Sequence, residues 1–180
     1  ELNMEIPAKK GFSVIATANT RDKGVNEMSA ALKRRFNIVV LPTPASLETE
    51  IDIVKTRVEQ LSGGMELNAS LPESDVVEKV CTIFRELRNG ETCDKSQKLK
   101  TTTGVLSTAE AISLLCGSMA LAGSFGNGKV SDEDLAAGLA GAVIKEEDKD
   151  VTAWKEYLEN VMKKRGSKWS GLYNACRELL

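Results

Sequence analysis

Three polar side chains stand where phosphate chemistry would need them. Asn19 follows the apolar run Gly11 to Ala18 (GFSVIATA) and opens the polar group Asn19-Thr20-Arg21-Asp22. A neutral amide at the carboxyl end of a buried strand can hold a water or a phosphate oxygen, and ligands of open parallel sheets bind at that edge. An asparagine there can equally do no more than turn the chain. Arg34 and Arg35 precede a second apolar run, Asn37 to Leu41 (NIVVL). A rigid guanidinium can be delivered to a transferring phosphoryl group. Two arginines at a helix end are also the ordinary solvated arrangement favoured by the helix dipole, and position alone favours that reading.

Other chemistries are excluded by composition. The 180 residues contain no histidine, so a Ser-His-Asp or Cys-His triad, a histidine base and a His-containing zinc site cannot be assembled within the chain. Lys plus Arg number 24 against 26 Asp plus Glu, a net charge of −2, which argues against nucleic-acid binding by bulk charge. The basic run Lys163 to Lys168 (KKRGSK) reads as ordinary helix-end charge, with no aromatic interleaving to make a nucleic-acid surface. The acidic group Glu146-Glu147-Asp148 reads as a solvated loop between helices.

Cys81, Cys93, Cys116 and Cys176 form no C-x-x-C pair. Cys81, Cys116 and Cys176 fall on apolar helical faces as reduced core thiols, which predicts a reducing, cytoplasmic setting. No apolar run approaches the roughly 20 residues of a membrane span, and the polar opening ELNMEIPAKK is not a secretory signal. The chain opens on Glu1 rather than Met, which reads as a piece of a longer protein.

The elements that must position Asn19 and the arginines are two strands, over Gly11–Ala18 and Asn37–Leu41, and a short helix between them at Met28–Arg35. Continuous apolar runs of this kind suit strands buried on both faces of a parallel sheet. From Ser46 onward the pattern is helical. Ser46 caps a helix bearing Ile51, Val54, Val58 and Leu61 that ends at Gly63-Gly64. A second helix covers Pro72–Arg88, with Val76, Val77, Val80, Ile83 and Leu87 on one stripe. Ser107 and Glu110 have capping-box spacing before a helix to Ala122, and Ser131 with Asp134 repeats a weaker version before a helix to about Lys145. Val151–Arg165 presents Trp154, Leu158, Val161 and Met162, and a last helix presents Trp169, Leu172, Tyr173, Cys176 and Leu180. The polar stretch Glu91–Thr103 reads as an exposed loop.

Taken together, Ala16-Thr17-Ala18-Asn19-Thr20, a loop, and Leu32-Lys33-Arg34-Arg35-Phe36 resemble the second half of the nucleotide-binding domain of AAA+ ATPases, most of all the MoxR-type branch. The resemblance is clear over about residues 11–58 and continues less specifically to about 145. It implies Asn19 as the sensor-1 residue, Arg35 as the trans-acting arginine finger and Arg34 as its neighbour, all three near the nucleotide. It implies a mostly α chain: a C-terminal remnant of an α/β P-loop AAA+ core (two strands and a short helix), then a helical lid bundle. The boundaries would be 1–45 for the core, 46–145 for the lid and 146–180 for a helical extension. ATP and Mg²⁺ would be bound by residues outside this chain. The subunits would form a ring, a hexamer, acting on a partner such as a von Willebrand factor A domain protein. No role for a membrane or for nucleic acid is implied.

The sequence departs from that pattern in two places. It has no GxxxxGK[ST] phosphate loop and no acidic Mg²⁺-binding strand end. At the lid position where the family often carries a sensor-2 arginine stands Leu106-Ser107-Thr108-Ala109-Glu110-Ala111, with Ala109 or Glu110 in place of the cation. Two alternative functions stay open: a DNA-directed ATPase resembling the MCM group, and a non-enzymatic helical interaction module.

Overall fold

Serines open several helices in the computed structural model, which describes residues 7–17 and 29–180. Ser46 caps α2 (Leu47–Ser62) by accepting from the Thr49 N–H. Ser107 and Glu110 form a full capping box at α4 (Thr108–Phe125). Ser131 and Asp134 form an equally complete one at α5 (Asp132–Val143). Each satisfies a backbone N–H that a helix start leaves unpaired, and at Ser107 and Ser131 an acid three residues on marks the boundary in the sequence.

The chain divides into two units, Glu1–Val40 and Leu41–Leu180. Within the described part of the first, the only regular element is α1 (Ala30–Lys33), capped by Ser29. The two expected strands are not formed. Residues 11–17 and 37–41 are irregular, and among the described residues the sole β pairing is an isolated bridge between Glu91 and Lys98. The expectation of an α/β core remnant is therefore overturned, and the regular structure of the described residues is almost entirely α-helical. The physical reason is that a strand has no hydrogen bonds of its own. Its ladder exists only against a neighbour, and neither run has one among the described residues. Their apolar side chains lie open instead: Ile15 is 92% exposed and Val40 78%. Ala18 and Asn19 lie outside the described residues.

The second unit is a bundle built from α2, α3 (Ser74–Asn89), α4, α5, α6 (Glu147–Asn160), a 3₁₀ turn at Met162–Arg165 and α7 (Ser167–Glu178). Helix α4 lies at the centre, packed on α2, α3 and α5, while α7 joins α5 to α6 and the 3₁₀ turn. Among the described residues it is also the one helix long and apolar enough to cross a membrane. Here Leu114, Leu115 and Met119 of α4 are buried in the core. Phe84, Leu87, Leu135, Leu139, Trp154, Leu158 and Leu172 complete that core. Each such side chain contributes about 1.5–3 kcal/mol by leaving water. Trp154 and Tyr157 stack with ring centroids 5.7 Å apart.

The expected stripes mostly face this core, though Leu61 and Leu180 stay 49% and 39% exposed. Gly90 ends α3 at φ 69°, and a Cβ there would meet Thr101 Cγ2 at 2.9 Å, so the turn requires glycine. Two other expectations need correction. The acidic group 146–148 is no loop, because α6 begins at Glu147. The segment after α3 is not simply exposed: Thr92 is buried and Thr103 is tied to Asp150 of α6.

Candidate functional site

The two arginines proposed from sequence lie at the end of α1. Arg34 is its C-cap, and the Arg35 guanidinium donates to the Ala31 carbonyl at 3.2 Å. Both side chains are exposed, and Phe36 beside them is half-buried. The structure therefore presents Arg35 as an accessible cation on a one-turn helix. Asn19 lies outside the described residues.

Three other cations are committed to two buried carboxylates, Glu50 and Glu86, neither of which was expected from sequence to be an internal partner. Glu50, wholly buried in the first turns of α2, accepts from both terminal nitrogens of Arg88 at 2.8–3.0 Å. It also accepts from Arg85 at 3.3 Å and from the Thr108 hydroxyl at 3.0 Å. Arg88 reaches on to the Leu106 carbonyl, and Arg85 to the carbonyls of Pro44 and Ala45. This clasp joins the entry of α2, the end of α3 and the start of α4.

Glu86, also wholly buried, accepts from Arg165, from the Tyr157 hydroxyl at 2.7 Å and from the Cys93 N–H at 2.8 Å. Burial, then the Glu86 carboxylate, push the Tyr157 hydroxyl well above its ordinary pKa, so it stays a donor. Arg165 lies over the Trp169 ring at 4.7 Å. Burial alone would lower the pKa of this guanidinium, but Tyr157 and Glu86 outweigh it and raise it. The basic run 163–168 is thus in part an internal ion pair, not wholly solvated charge.

The thiols behave as core groups. Burial, then nearby Glu50, push Cys81 up to about 12, and burial and Asp132 do the same for Cys176. Cys93, though exposed, is held at about 11 by partial burial and by Glu86. None is poised as a nucleophile.

A sequence model described as "YehL-like AAA+ ATPase C-terminal domain" matches residues 48–179, and one described as "AAA domain (dynein-related subfamily)" matches residues 1–36. The chain belongs to the YehL-like AAA+ ATPase family. A curated relative, "Uncharacterized protein YehL" of Escherichia coli (strain K12), is 34% identical over 177 residues, which is 97% of this chain and 48% of the relative. The chain thus spans about half the length of that relative. No solved structure matches it.

For a member of this ATPase family, Gly123–Lys129 (GSFGNGK) is conspicuous, because only Val130 in place of Ser or Thr separates it from a phosphate loop. The fold denies it that role. It begins in the last turn of helix α4 rather than after a strand. Its Gly128 N–H is bonded to the Ala122 carbonyl, and its Gly128 carbonyl accepts from Ser70. Gly123 lets α4 press on Asn68, whose backbone would lie 3.2 Å from an added Cβ. The helix that follows opens with Asp132, Glu133 and Asp134, three charges that would repel a phosphate. At the other expected landmark, Glu110 is a capping residue: it accepts from the Ser107 N–H at 2.7 Å. Among the described residues no three His, Cys, Asp or Glu side chains gather as a metal site.

Proposed function

We propose that this chain is the C-terminal part of a MoxR-like AAA+ ATPase subunit whose ring, a hexamer, couples ATP hydrolysis to remodelling or cofactor insertion in a partner protein. A von Willebrand factor A domain is the kind of partner such rings act on. In this reading Arg35 is the cation supplied to the phosphate held by the adjacent subunit. Arg34 supports it, and Asn19 orients a water or phosphate oxygen. The helical unit serves as the lid.

The observation that carries the reading is the exposure of Arg35 on the segment matched to an AAA domain. Among the described residues, Arg85, Arg88 and Arg165 are spent on buried carboxylates, whereas the hydrogen bond of Arg35 goes to a backbone carbonyl. Apart from Arg35, which in this reading meets only a neighbour's nucleotide, no described side chain or loop is assigned to ATP phosphates or Mg²⁺. Both would be held elsewhere in the subunit, and the chain by itself should neither bind ATP tightly nor hydrolyse it.

The test is Arg35→Ala in the full-length subunit. A cation acting on charge that develops in the transition state affects turnover more than affinity. ATP binding should persist while turnover falls by roughly 10³–10⁵. Mixing Arg35→Ala subunits with subunits lacking the phosphate-loop lysine should restore part of the activity, because some interfaces regain one intact half from each. Near wild-type turnover in assembled Arg35→Ala rings would refute the assignment.

A further inference from the structure

The route by which the chain enters the helical unit is built with more care than a linker needs. Leu41, Pro42 and Thr43 are exposed, with Leu41 at 86%. From Pro44 on, the backbone is held. Arg85 donates to the Pro44 carbonyl at 3.1 Å and to the Ala45 carbonyl at 2.6 Å. The same guanidinium reaches Glu50 at 3.3 Å, and Glu50 is itself locked by Arg88 and Thr108. One residue further, Ser46 caps α2. Leu106, whose carbonyl accepts from Arg88 at 2.8 Å, is fully buried at φ 46°. A non-glycine residue persists in that left-handed region only where its surroundings over-determine it. The clasp is therefore a rigid base, and Arg85 is the arm by which it grips the incoming polypeptide.

The three residues upstream are restrained in another way. Pro42 and Pro44 fix φ near −65°. Leu41 and Thr43 each precede a proline, which bars them from the helical region. The soft torsions left within Leu41–Thr43 are φ of Leu41, ψ of Pro42 and φ of Thr43.

We propose that Arg85 latches Pro44 and Ala45 to the helical unit, so that its fixed backbone begins at Pro44, ahead of the Ser46 cap, while the proline-restrained stretch Leu41–Thr43 is left free to turn. The helical unit then carries residues 44–46 as part of its own body. The planar fork of arginine is needed because two carbonyls and a carboxylate must be met at once; a lysine ammonium offers no such fixed geometry.

Backbone ¹⁵N relaxation on the full chain tests this, with order parameters for fast motion and relaxation dispersion for the microsecond–millisecond range. In the wild type, Ala45, Ser46 and Leu47 should show order parameters near 0.85, about the value of rigid backbone, and no dispersion. Leu41 and Thr43 should fall below about 0.6 or show dispersion. Arg85→Met should bring Ala45–Leu47 to the mobile values while Val80, Leu115 and Leu158 keep theirs, which shows that the bundle is still folded. Arg85→Lys should fall between the two. Mobility at Ala45–Leu47 in the wild type, rigidity at Leu41 and Thr43, or an Arg85→Met profile identical to wild type would each overturn the proposal. If Arg85→Met does not fold, the wild-type profile and Arg85→Lys decide it. The measurement needs neither nucleotide nor ring, so it stands or falls apart from the ATPase reading.

Discussion

Removing the charge from Asp150 should cost the helical unit a large share of its stability at neutral pH and much less in acid. Asp150 is wholly buried. One carboxylate oxygen accepts from the Thr103 N–H at 2.8 Å. The other accepts from the Thr103 hydroxyl at 2.7 Å, the Lys145 N–H at 2.9 Å and the Glu146 N–H at 2.8 Å. It thereby fixes the end of the 91–103 segment and the α5–α6 connection with one side chain. Asp150→Asn keeps the shape. Its amide can spare three of the four donors only by turning its NH₂ toward the Thr103 N–H, and the bonds that survive lose their charge assistance. A hydrogen bond to a charged group is worth about 1.5–3 kcal/mol, and a buried donor left unmet costs about 1–3 kcal/mol. The net loss should be about 2–4 kcal/mol, or roughly 5–15 °C in Tm for a chain of this size. Asp150→Ala, which leaves every donor unmet, should lose more.

The pH dependence of this effect follows from the carboxyl's environment. Burial alone would raise its pKa, but the donors from Glu146, Thr103 and Lys145 outweigh it and hold it below the usual range. A carboxyl with a lowered folded pKa stabilises fully above its unfolded value, about 3.9, and that stabilisation is lost as pH falls through the folded value. Urea unfolding of wild type and Asp150→Asn at pH 7 and at pH 3 reads the effect directly. The gap should be large at pH 7 and smaller at pH 3. A variant within about 0.5 kcal/mol of wild type at pH 7, the range of ordinary surface substitutions, would refute the reasoning. So would a gap that ignores pH.

Arg88→Met leaves Glu50 buried with one guanidinium fewer, and breaking a buried pair on one side costs about 3–5 kcal/mol; thermal unfolding should show a Tm drop of roughly 10 °C, and an unchanged Tm would mean the clasp contributes nothing. Among the four thiols, only Cys93 should react with a disulfide reagent in the native state at pH 8. With its pKa at about 11, it should react roughly a hundredfold slower than a free cysteine, whose pKa is about 8.5; rapid modification of two or more would contradict the burial of Cys81, Cys116 and Cys176. Ser107→Ala should lose about 1 kcal/mol through the α4 cap, while Glu110→Gln should be mild because the amide still accepts; in the full-length subunit, loss of turnover by Glu110→Gln at unchanged Tm would instead make Glu110 a nucleotide-sensing residue.

What could be read in the sequence was what the chain settles locally. Caps at Ser46, Ser107 and Ser131 act within three residues, and an apolar stripe declares its helix within two turns. The expected strands failed for the converse reason, since their hydrogen bonds depend on a neighbour that their own residues cannot name. The buried carboxylates were illegible because their partners are remote: Arg88 lies 38 residues from Glu50, Thr103 47 from Asp150 and Arg165 79 from Glu86. A signal was nonetheless present. Glu50 stands in fourfold register with buried Val54 and Val58, Asp150 with Trp154 and Leu158, and Glu86 lies between Ile83 and Leu87. An acid in step with a core stripe cannot face water without turning that stripe outward. It must meet donors inside, and the remaining question is which segments supply them. Helices supply part of them, Arg85, Arg88 and Thr108 for Glu50 and Tyr157 for Glu86; irregular pieces supply the rest, Cys93 for Glu86 and Thr103 for Asp150, while Arg85 also holds the carbonyls of Pro44 and Ala45. Carboxylates that are costly to bury thus fasten several loops of the bundle, and the stretches 11–17 and 37–43, which have no such partner, stay open.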